Sequence, residues 1–304
     1  MYLPFIKTKG HPTVGLKSLA LQDWIEIDDD FVAQLNHKTG LLAHHHADVF
    51  VALEQTEAAQ KEVLQRLTAH LFKHFPSIYQ PLDQGICNLQ TGQVWQFSDF
   101  ADAPLDLAGR LVQEDLCLLL PGEAGYVLSA ASVCFPLRWC LRGKLGLPMG
   151  QIHQRVPTYS QKLARPVDNI FARLRDDFPG LRFNWSIVDS PELHLSQDKL
   201  VTEFDPAITA DNAGQSLWLR VERQTIRRLP ESGGVLFTIH TYIYPLEQVT
   251  AVPAVAAQLE QAVQSLMPDM QVYKNLLPFR AALLSYLAVC AEEKAFSAGA
   301  RSRP

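Results

Sequence analysis

The chain has 304 residues, of which 47% are hydrophobic and 19% charged, so it can bury a substantial core. Its formal net charge of -5 at pH 7 excludes a general attraction to nucleic acid or anionic lipid, because that attraction needs clustered Lys and Arg. No membrane-spanning apolar run and no signal peptide is recognisable, so we expect a cytoplasmic protein without nucleic-acid or membrane partners.

The first quarter of the chain is predicted to be helical. Asp28, Asp29 and Asp30 precede an amphipathic stretch, and residues 54–75 carry apolar side chains at helical spacing. Residues 86–89 and 93–97 flank Gln90-Thr91-Gly92, a pattern typical of a β-hairpin with glycine in its turn.

The middle of the chain is predicted to be rich in strands. The strand candidates are residues 116–120, 126–135, 182–188, 217–224 and 235–244. Helical spacing returns at 157–175, where Pro166 either kinks the helix or begins a new one, and again at 255–267 and 279–295. We therefore predict an α+β fold with an antiparallel sheet, as one domain over residues 1–304, with helical extensions at about 15–80 and 250–296.

His153 lies in a non-periodic connection between a predicted strand and a predicted helix. A neutral imidazole there can bind haem iron or act as a general base, and a purely structural histidine is the alternative. His44, His45 and His46 cannot converge on one metal, because successive helix residues point about 100° apart. His70 and His74 share a helix face but lack the Glu of HExxH.

Strand alternation places His240, Tyr242 and Tyr244 on one face. Such a face suits a flat cofactor, or it packs half-buried under a helix. His194 is a further histidine of the strand-rich half.

Charged residues crowd the predicted strand that begins at Leu217. The planar guanidinium of each arginine can form two parallel hydrogen bonds with a carboxylate. Cross-strand ion pairs with Glu222 and Glu231 are the alternative. The neighbouring Glu114 and Asp115 diverge on a strand or turn; one of them, or Glu222, is a candidate to hold a cationic amine, with capping or surface roles favoured for the pair.

Several motifs resemble those of the haem-dependent oxidative N-demethylase α-subunit-like family. They are GLKSLALQDWIEID from Gly15, QEDLCLLL from Gln113, CFPLRWCLRGKLGLPMGQIHQRVPTYSQKLARPVDNIF from Cys134, FNWSIVD from Phe183 and RVERQTIRRLPESGGVLFTIHTYIYPL from Arg220. The resemblance implies a PAS-like antiparallel sheet that carries haem b. It also implies an enzyme that uses O2 to remove a methyl group from a small secondary amine such as dimethylamine.

The resemblance further implies that electrons arrive from partner reductase subunits that carry FMN and a 2Fe–2S cluster and use NADPH. This chain shows neither a nucleotide-binding glycine loop nor a CxxC pair among its five cysteines, which is compatible with an external electron supply.

Roles for individual residues follow from the same resemblance. His153 is the leading iron ligand, with His194 and His240 behind it. Arg223 and Arg227 would pair with haem propionates. Glu222, with Trp185 or Tyr242, would hold the alkylammonium by charge and cation–π contact. The family pattern has arginine where this chain has His240, so a propionate or substrate contact is expected to differ.

Two rival functions remain open at this point. One is a non-catalytic haem-binding sensor of the PAS type, and the other is a haem-free structural relative. Fold similarity alone does not separate them from an enzyme.

Overall fold

The computed structural model describes residues 1–7, 15–123, 125–157, 159, 164–196 and 201–298. The helices are α1 Phe31–His44, α2 His46–Val49, α3 Glu57–His74, α4 Pro104–Leu111, α5 Met149–Ile152, α6 Ala164–Arg173, α7 Ala213–Ser216, α8 Leu246–Thr250, α9 Pro253–Gln264, α10 Pro268–Tyr273 and α11 Arg280–Ala298. The strands are β1 Lys17–Ser18, β2 Phe50–Ala52, β3 Tyr79–Leu82, β4 Gly85–Asn88, β5 Val94–Gln96, β6 Asp115–Gly122, β7 Gly125–Ser132, β8 Gly180–Val188, β9 Trp218–Arg228 and β10 Val235–Pro245.

The main sheet is antiparallel and, within the described residues, contains seven strands in the order β1-β8-β9-β10-β6-β7-β2. Its centre is the long hairpin of β9 and β10, whose pairing runs from Val235 opposite Arg228 to Pro245 opposite Trp218. The predicted strand at 217–224 is therefore too short. Its charged end continues the ladder because β10 supplies a backbone partner for every residue up to Arg228.

One face of this sheet is covered by the N-terminal and C-terminal helices. Val63, Leu67 and Leu71 of α3 are fully buried in a cluster that includes Leu118 and Leu236 of the sheet. A second cluster joins β8 and β9 to α9 and α11 through Trp185, Leu219, Val221, Leu259, Leu283 and Leu287. The apolar spacing that predicted these helices is thus the spacing that packs them onto the sheet.

The opposite face is covered by α5 and α6. Met149, Ile152 and Phe171 pack in one cluster with Ile226 and Phe237 of the central hairpin. Ile226 and Phe237 are paired across β9 and β10, so both side chains point to this side.

A smaller sheet of β3, β4 and β5 lies outside the main one. The predicted hairpin is confirmed as β4 and β5, and Gly92 adopts φ 72°, a left-handed conformation that glycine adopts without strain. The elements that were not predicted include α4, α7, α8, α10, β1, β2, β3 and α5, which lies in the segment expected to be a non-periodic connection before His153.

The expected α+β class with antiparallel sheets is confirmed. The predicted strand at 126–135 ends at Ser132, and residues 158 and 160–163 of the predicted helix at 157–175 lie outside the described residues. In the described part of the chain, no helix is long and apolar enough to cross a membrane.

Candidate functional site

The register of the central strands sorts the predicted site residues onto opposite faces of the main sheet. Asn184 pairs with Glu222, whereas Phe183 pairs with Arg223. Because successive strand residues point to alternate faces, Glu222 and Arg223 project in opposite directions. We name the face under α5 and α6 the site face; its polar residues include Arg182, Asn184, Arg220, Glu222, Gln224 and Thr241. The other is the network face, which carries Trp185, Arg223, Arg227, His240 and Tyr242.

His153 follows α5 directly, and its imidazole is fixed from two sides. Nδ1 lies 3.0 Å from the carbonyl oxygen of Met149. A carbonyl only accepts hydrogen bonds, so Nδ1 carries the proton and Nε2 presents a lone pair. The ring stacks on Tyr159 with centroids 4.7 Å apart and planes inclined by 13°. A ring nitrogen bonded to a backbone carbonyl is the usual second contact of a metal-ligating histidine.

The surroundings of His153 keep its ring neutral at pH 7. Burial lowers the pKa of His153, and the positive charges of Arg182 and Lys144 lower it further, whereas the bond to Met149 acts in the opposite direction. A neutral imidazole is the form that binds a metal ion.

His194 shows the same tautomer in a second place. Its Nδ1 lies 2.8 Å from the carbonyl oxygen of Cys134, and its ring is half-buried. The segment before it is tied to β9, because Nη1 of Arg220 donates to the carbonyl of Leu193 at 3.0 Å. His194 is therefore the natural comparison for His153.

Glu222 is held in a set orientation on the site face. Its carboxylate accepts hydrogen bonds from Nδ2 of Asn184 at 3.3 Å and from Nε2 of Gln224 at 2.9 Å. Nε of Arg220 lies 3.9 Å away. The side chain remains 13% exposed, so an incoming cation can still reach it.

Lys274, which directly follows α10, lies beside Asn184 at one end of the group around Glu222. Its Nζ donates to Oδ1 of Asn184 at 3.3 Å and to the carbonyl of Trp185. Burial lowers the pKa of Lys274 to about 8, with Glu222 raising it and Arg182 lowering it. Lys274 is thus mostly a cation at pH 7, placed within electrostatic range of Glu222.

On the network face, His240 is enclosed by two carboxylates. Nδ1 lies 3.3 Å from Oε1 of Glu114, and Nε2 lies 3.2 Å from Oδ2 of Asp28. The ring is fully buried. Burial alone would lower the pKa of His240, but the hydrogen bonds to Asp28 and Glu114 outweigh it and raise the pKa to about 9. His240 is an imidazolium at pH 7, which cannot ligate a metal.

Arg223 and Tyr242 converge on a third carboxylate of the network face. Nε of Arg223 lies 3.1 Å from Oε2 of Glu26, and the hydroxyl of Tyr242 donates to the same carboxylate. The guanidinium also donates to the carbonyls of Asp23 and Trp24. We refer to Glu26, Asp28, Glu114, Arg223, His240 and Tyr242 as the buried network.

Trp185 and Arg227 are packed into the core of the network face. The Trp185 ring meets Phe5 edge-on at 5.9 Å and Nζ of Lys274 at 5.3 Å. Arg227 lies over the Trp24 ring at 4.3 Å and donates from Nε to a backbone carbonyl at 3.2 Å. The structure therefore does not bring Trp185 or Tyr242 to Glu222, nor Arg223 or Arg227 to His153.

The expectation of surface or capping roles for Glu114 and Asp115 is wrong, although the two do diverge. Both are fully buried. Asp115 accepts the backbone N–H groups of Cys134 and Phe135 at 2.8 and 2.9 Å and lies 3.7 Å from Nζ of Lys38. A loop and a lysine far along the chain supply these partners, so sequence spacing could not reveal the burial.

The other histidines singled out in the sequence lie on helices away from the site face. His44, His45 and His46 are exposed, and Nε2 of His46 pairs with Asp106 at 2.7 Å. Burial lowers the pKa of His70 to about 4, and its ring packs against His74 at 4.6 Å.

Two clefts open beside the main sheet. The larger, of about 610 Å³, lies on the network face and includes Tyr2, Glu26, His74, Phe183 and Arg223 in its lining. The charges of Glu26 and Arg223 there already meet each other. The smaller, of about 290 Å³, lies along α6 and is mostly apolar.

The model of one protein family, described as haem-dependent oxidative N-demethylase, alpha subunit-like, matches residues 15–284. The match covers both faces of the main sheet and most of the helices. The chain belongs to this family. It is thus related to an enzyme class that depends on haem and is built from more than one kind of subunit.

The site face of this N-demethylase family member has the donor set that a haem requires. His153 offers a neutral nitrogen with a free lone pair. On the same face, Nε of Arg182, Nε of Arg220 and Oγ1 of Thr241 are buried without a hydrogen-bond partner in the described residues. On the network face, His240 is charged and Arg223 is already bonded, whereas Nε2 of His70, Nε1 of Trp24 and Oε2 of Glu114 have no hydrogen-bond partner among the described residues.

Sequence reasoning missed Arg182, Asn184, Thr241 and Lys274 as members of the site. Thr241 carried a usable signal, since the hairpin of β9 and β10 implies its pairing with Glu222. Arg182 and Asn184 carried less, because the register of β8 against β9 follows from tertiary pairing across a long connection. Lys274 carried none, because only the packing of α10 against β8 brings it there.

Proposed function

We propose that this chain is the haem b-binding subunit of an oxidative N-demethylase and that His153 is its axial iron ligand. The observation that carries the proposal is the bond between Nδ1 of His153 and the Met149 carbonyl at 3.0 Å, which leaves Nε2 as the ligating atom. The antiparallel sheet with α5 and α6 across one face supports a PAS-like arrangement for the cofactor.

The substrate under this proposal is a small secondary N-methylamine such as dimethylamine. Glu222 binds its ammonium by a charge-assisted hydrogen bond, and Asn184 and Gln224 keep the carboxylate turned toward the site face. A bound haem would supply the redox chemistry by which O2, two electrons and two protons convert the N-methyl group to formaldehyde, with release of the demethylated amine and water.

The electrons come from partner subunits under this proposal. The family name, alpha subunit-like, supports partners, and we assign FMN, a 2Fe–2S cluster and NADPH to them. The chain's own part is to hold the iron, bind the amine and limit the access of water.

The network-face residues have a different role in this proposal. Trp185, Arg223, Arg227, His240 and Tyr242 stabilise the fold that presents the site face. This assignment rests on their buried partners and on their orientation away from His153.

Replacing the proposed ligand tests the haem assignment. In His153→Ala, we expect the haem content and the Soret band of the purified full-length protein to fall to a small fraction of wild type. His194→Ala is the matched control, because His194 has the same tautomer, and it should retain haem. An unchanged Soret band in His153→Ala would show that His153 is not the ligand.

The reaction itself is tested with the haem-loaded chain, O2, a chemical reductant and dimethylamine. We expect formaldehyde above the level of a reaction without amine. A haem protein that forms none with dimethylamine or other small N-methylamines would point to sensing instead of catalysis.

A further inference from the structure

Buried polar atoms without a partner gather around Glu222. Among the described residues they include Nε of Arg182, Nε of Arg220 and Oγ1 of Thr241. Thr241 pairs directly with Glu222 across β9 and β10, and Nε of Arg220 lies 3.9 Å from the Glu222 carboxylate. Buried donors are costly to leave unpaired, so this group indicates a surface that receives a polar molecule.

Arg182 differs from the other cations in this group. Arg220 already donates to two backbone carbonyls, and Lys274 donates to Asn184 and to a backbone carbonyl. Within the described ranges, Arg182 makes no hydrogen bond through its guanidinium, although its Nε is buried. The planar guanidinium of arginine matches a carboxylate with two parallel hydrogen bonds.

The charges around Glu222 favour a ligand that brings a negative group. Arg182, Arg220 and Lys274 all act electrostatically on Glu222, and Asp115 acts on Arg220, so in the described part of the chain two carboxylates face three cationic side chains. An alkylammonium by itself adds a positive charge to this set, which the carboxylate of a bound haem or of the substrate itself would offset. An amine that also carries a carboxylate adds none.

We propose that Arg182 is the carboxylate-binding residue of the site face. Two molecules can present that carboxylate: an N-methyl amino acid whose ammonium lies at Glu222, or a haem through one of its propionates. The inference rests on the proposed function in its choice of ligands, and the two sources are separated by experiment.

The first arm measures the substrate. The full-length Arg182→Gln variant is titrated calorimetrically with N-methylglycine and with dimethylamine. If the substrate supplies the carboxylate, N-methylglycine affinity falls by at least about 10-fold, the loss expected for charge-assisted hydrogen bonds, while dimethylamine affinity does not fall.

The second arm measures the cofactor. Haem-free protein is titrated with haemin and with haemin dimethyl ester, whose propionates are blocked. If a propionate is the partner, Arg182→Gln weakens haemin by a similar factor, and the ester binds the variant and the wild type equally.

Controls keep both arms interpretable. Arg175→Gln removes an exposed arginine that pairs with Asp177 and lies over the Phe178 ring, and it should change neither affinity. If Arg182→Gln does not fold, wild-type protein still gives an answer, because N-methylglycine and haemin can each be compared with their own methyl esters.

The role of Arg182 would be overturned if wild type and Arg182→Gln bound N-methylglycine and haemin with equal affinities. It would also be overturned if esterification of these two compounds left their wild-type affinities unchanged. This failure is distinct from that of the proposed function. If the chain binds no haem, the demethylase proposal fails, but the N-methylglycine titration still tests Arg182. If the chain is an active demethylase whose ligand affinities do not depend on a carboxylate, only the role of Arg182 fails.

Discussion

The two faces of the main sheet carry similar residue types but differ in how their polar groups are partnered. On the network face, Glu26, Asp28 and Glu114 meet Arg223 or His240 within 3.3 Å, and Oε2 of Glu114 is the exception left without a partner. On the site face, Nε of Arg182 has no partner among the described residues, and Glu222 accepts hydrogen bonds from two amides while Nε of Arg220 lies 3.9 Å away.

This contrast teaches that charge content alone does not locate a functional site. A buried charge whose partners are all within the chain contributes to the stability or the specificity of the fold. A buried donor without a partner points to something that arrives later. The arginines of β9 look alike in sequence, yet alternation sends them to these two different environments.

The largest expected effect comes from breaking the buried network. Glu114→Gln leaves the His240 imidazolium with Asp28 alone, and loss of one partner of a buried ion pair costs about 3–5 kcal/mol in the free energy of unfolding. Chemical denaturation at pH 7 measures it. The matched variant Glu222→Gln should cost only about 1 kcal/mol but should abolish the amine-induced change in the haem spectrum. Equal costs for the two variants would erase the distinction between the faces.

The pH dependence of stability should carry the signature of His240. Its folded pKa of about 9 lies above the ordinary value of 6.5, so its contribution is complete below pH 6.5 and is lost as the pH rises through 9. The shift corresponds to a loss on the order of 3 kcal/mol. Unfolding free energies measured from pH 6 to pH 10 should show this decline in wild type and lack it in His240→Gln.

The acid side has the opposite sign. The hydrogen bonds to His240 hold the pKa values of Asp28 and Glu114 below their usual range, in spite of burial. Their contribution is present above the ordinary carboxylate pKa values and disappears as the pH falls through the folded ones. A stability curve of wild type without a decline below pH 4 would contradict the ion-pair description.

Tyr242→Phe should affect stability less than the loss of either ion pair of His240. The change removes one hydrogen bond to Glu26, which keeps Tyr2 and Arg223 as partners, and should cost about 1–2 kcal/mol. Thermal unfolding measures the cost, and the amine-induced spectral change should match wild type because Tyr242 faces away from Glu222. Loss of the amine-induced spectral change in this variant would show that Tyr242 belongs to the substrate site.

Local sequence was sufficient for the elements with strong periodicity. Val63, Leu67 and Leu71 predict α3 and its buried stripe, and Gln90-Thr91-Gly92 predicts the hairpin of β4 and β5. These patterns depend on interactions between near neighbours. The short edge strand β2 and helix α4 escaped, since a three-residue strand is defined by its pairing with β7 and not by its own residues.

The motifs also identified the family, which the match over residues 15–284 confirms. They did not say which motif residues share a site, because a motif gives order along the chain and not direction in space. The alternation of side chains along β9 could be predicted from the sequence, and it already required Glu222 and Arg223 to point to opposite faces of the sheet.

By itself, then, the sequence determined the family, the α+β class, the main helices and strands, and the parity of each strand residue. Only the tertiary structure decided which helices cover each face of the main sheet. His240 contacts Asp28, which lies 212 positions away in the chain, and Arg223 donates a hydrogen bond to Trp24, which lies 199 positions away. Partners so far apart meet through the packing of whole elements, and that packing paired the charged groups of the network face while it left Nε of Arg182 and Nε of Arg220 on the site face without a hydrogen-bond partner in the described residues.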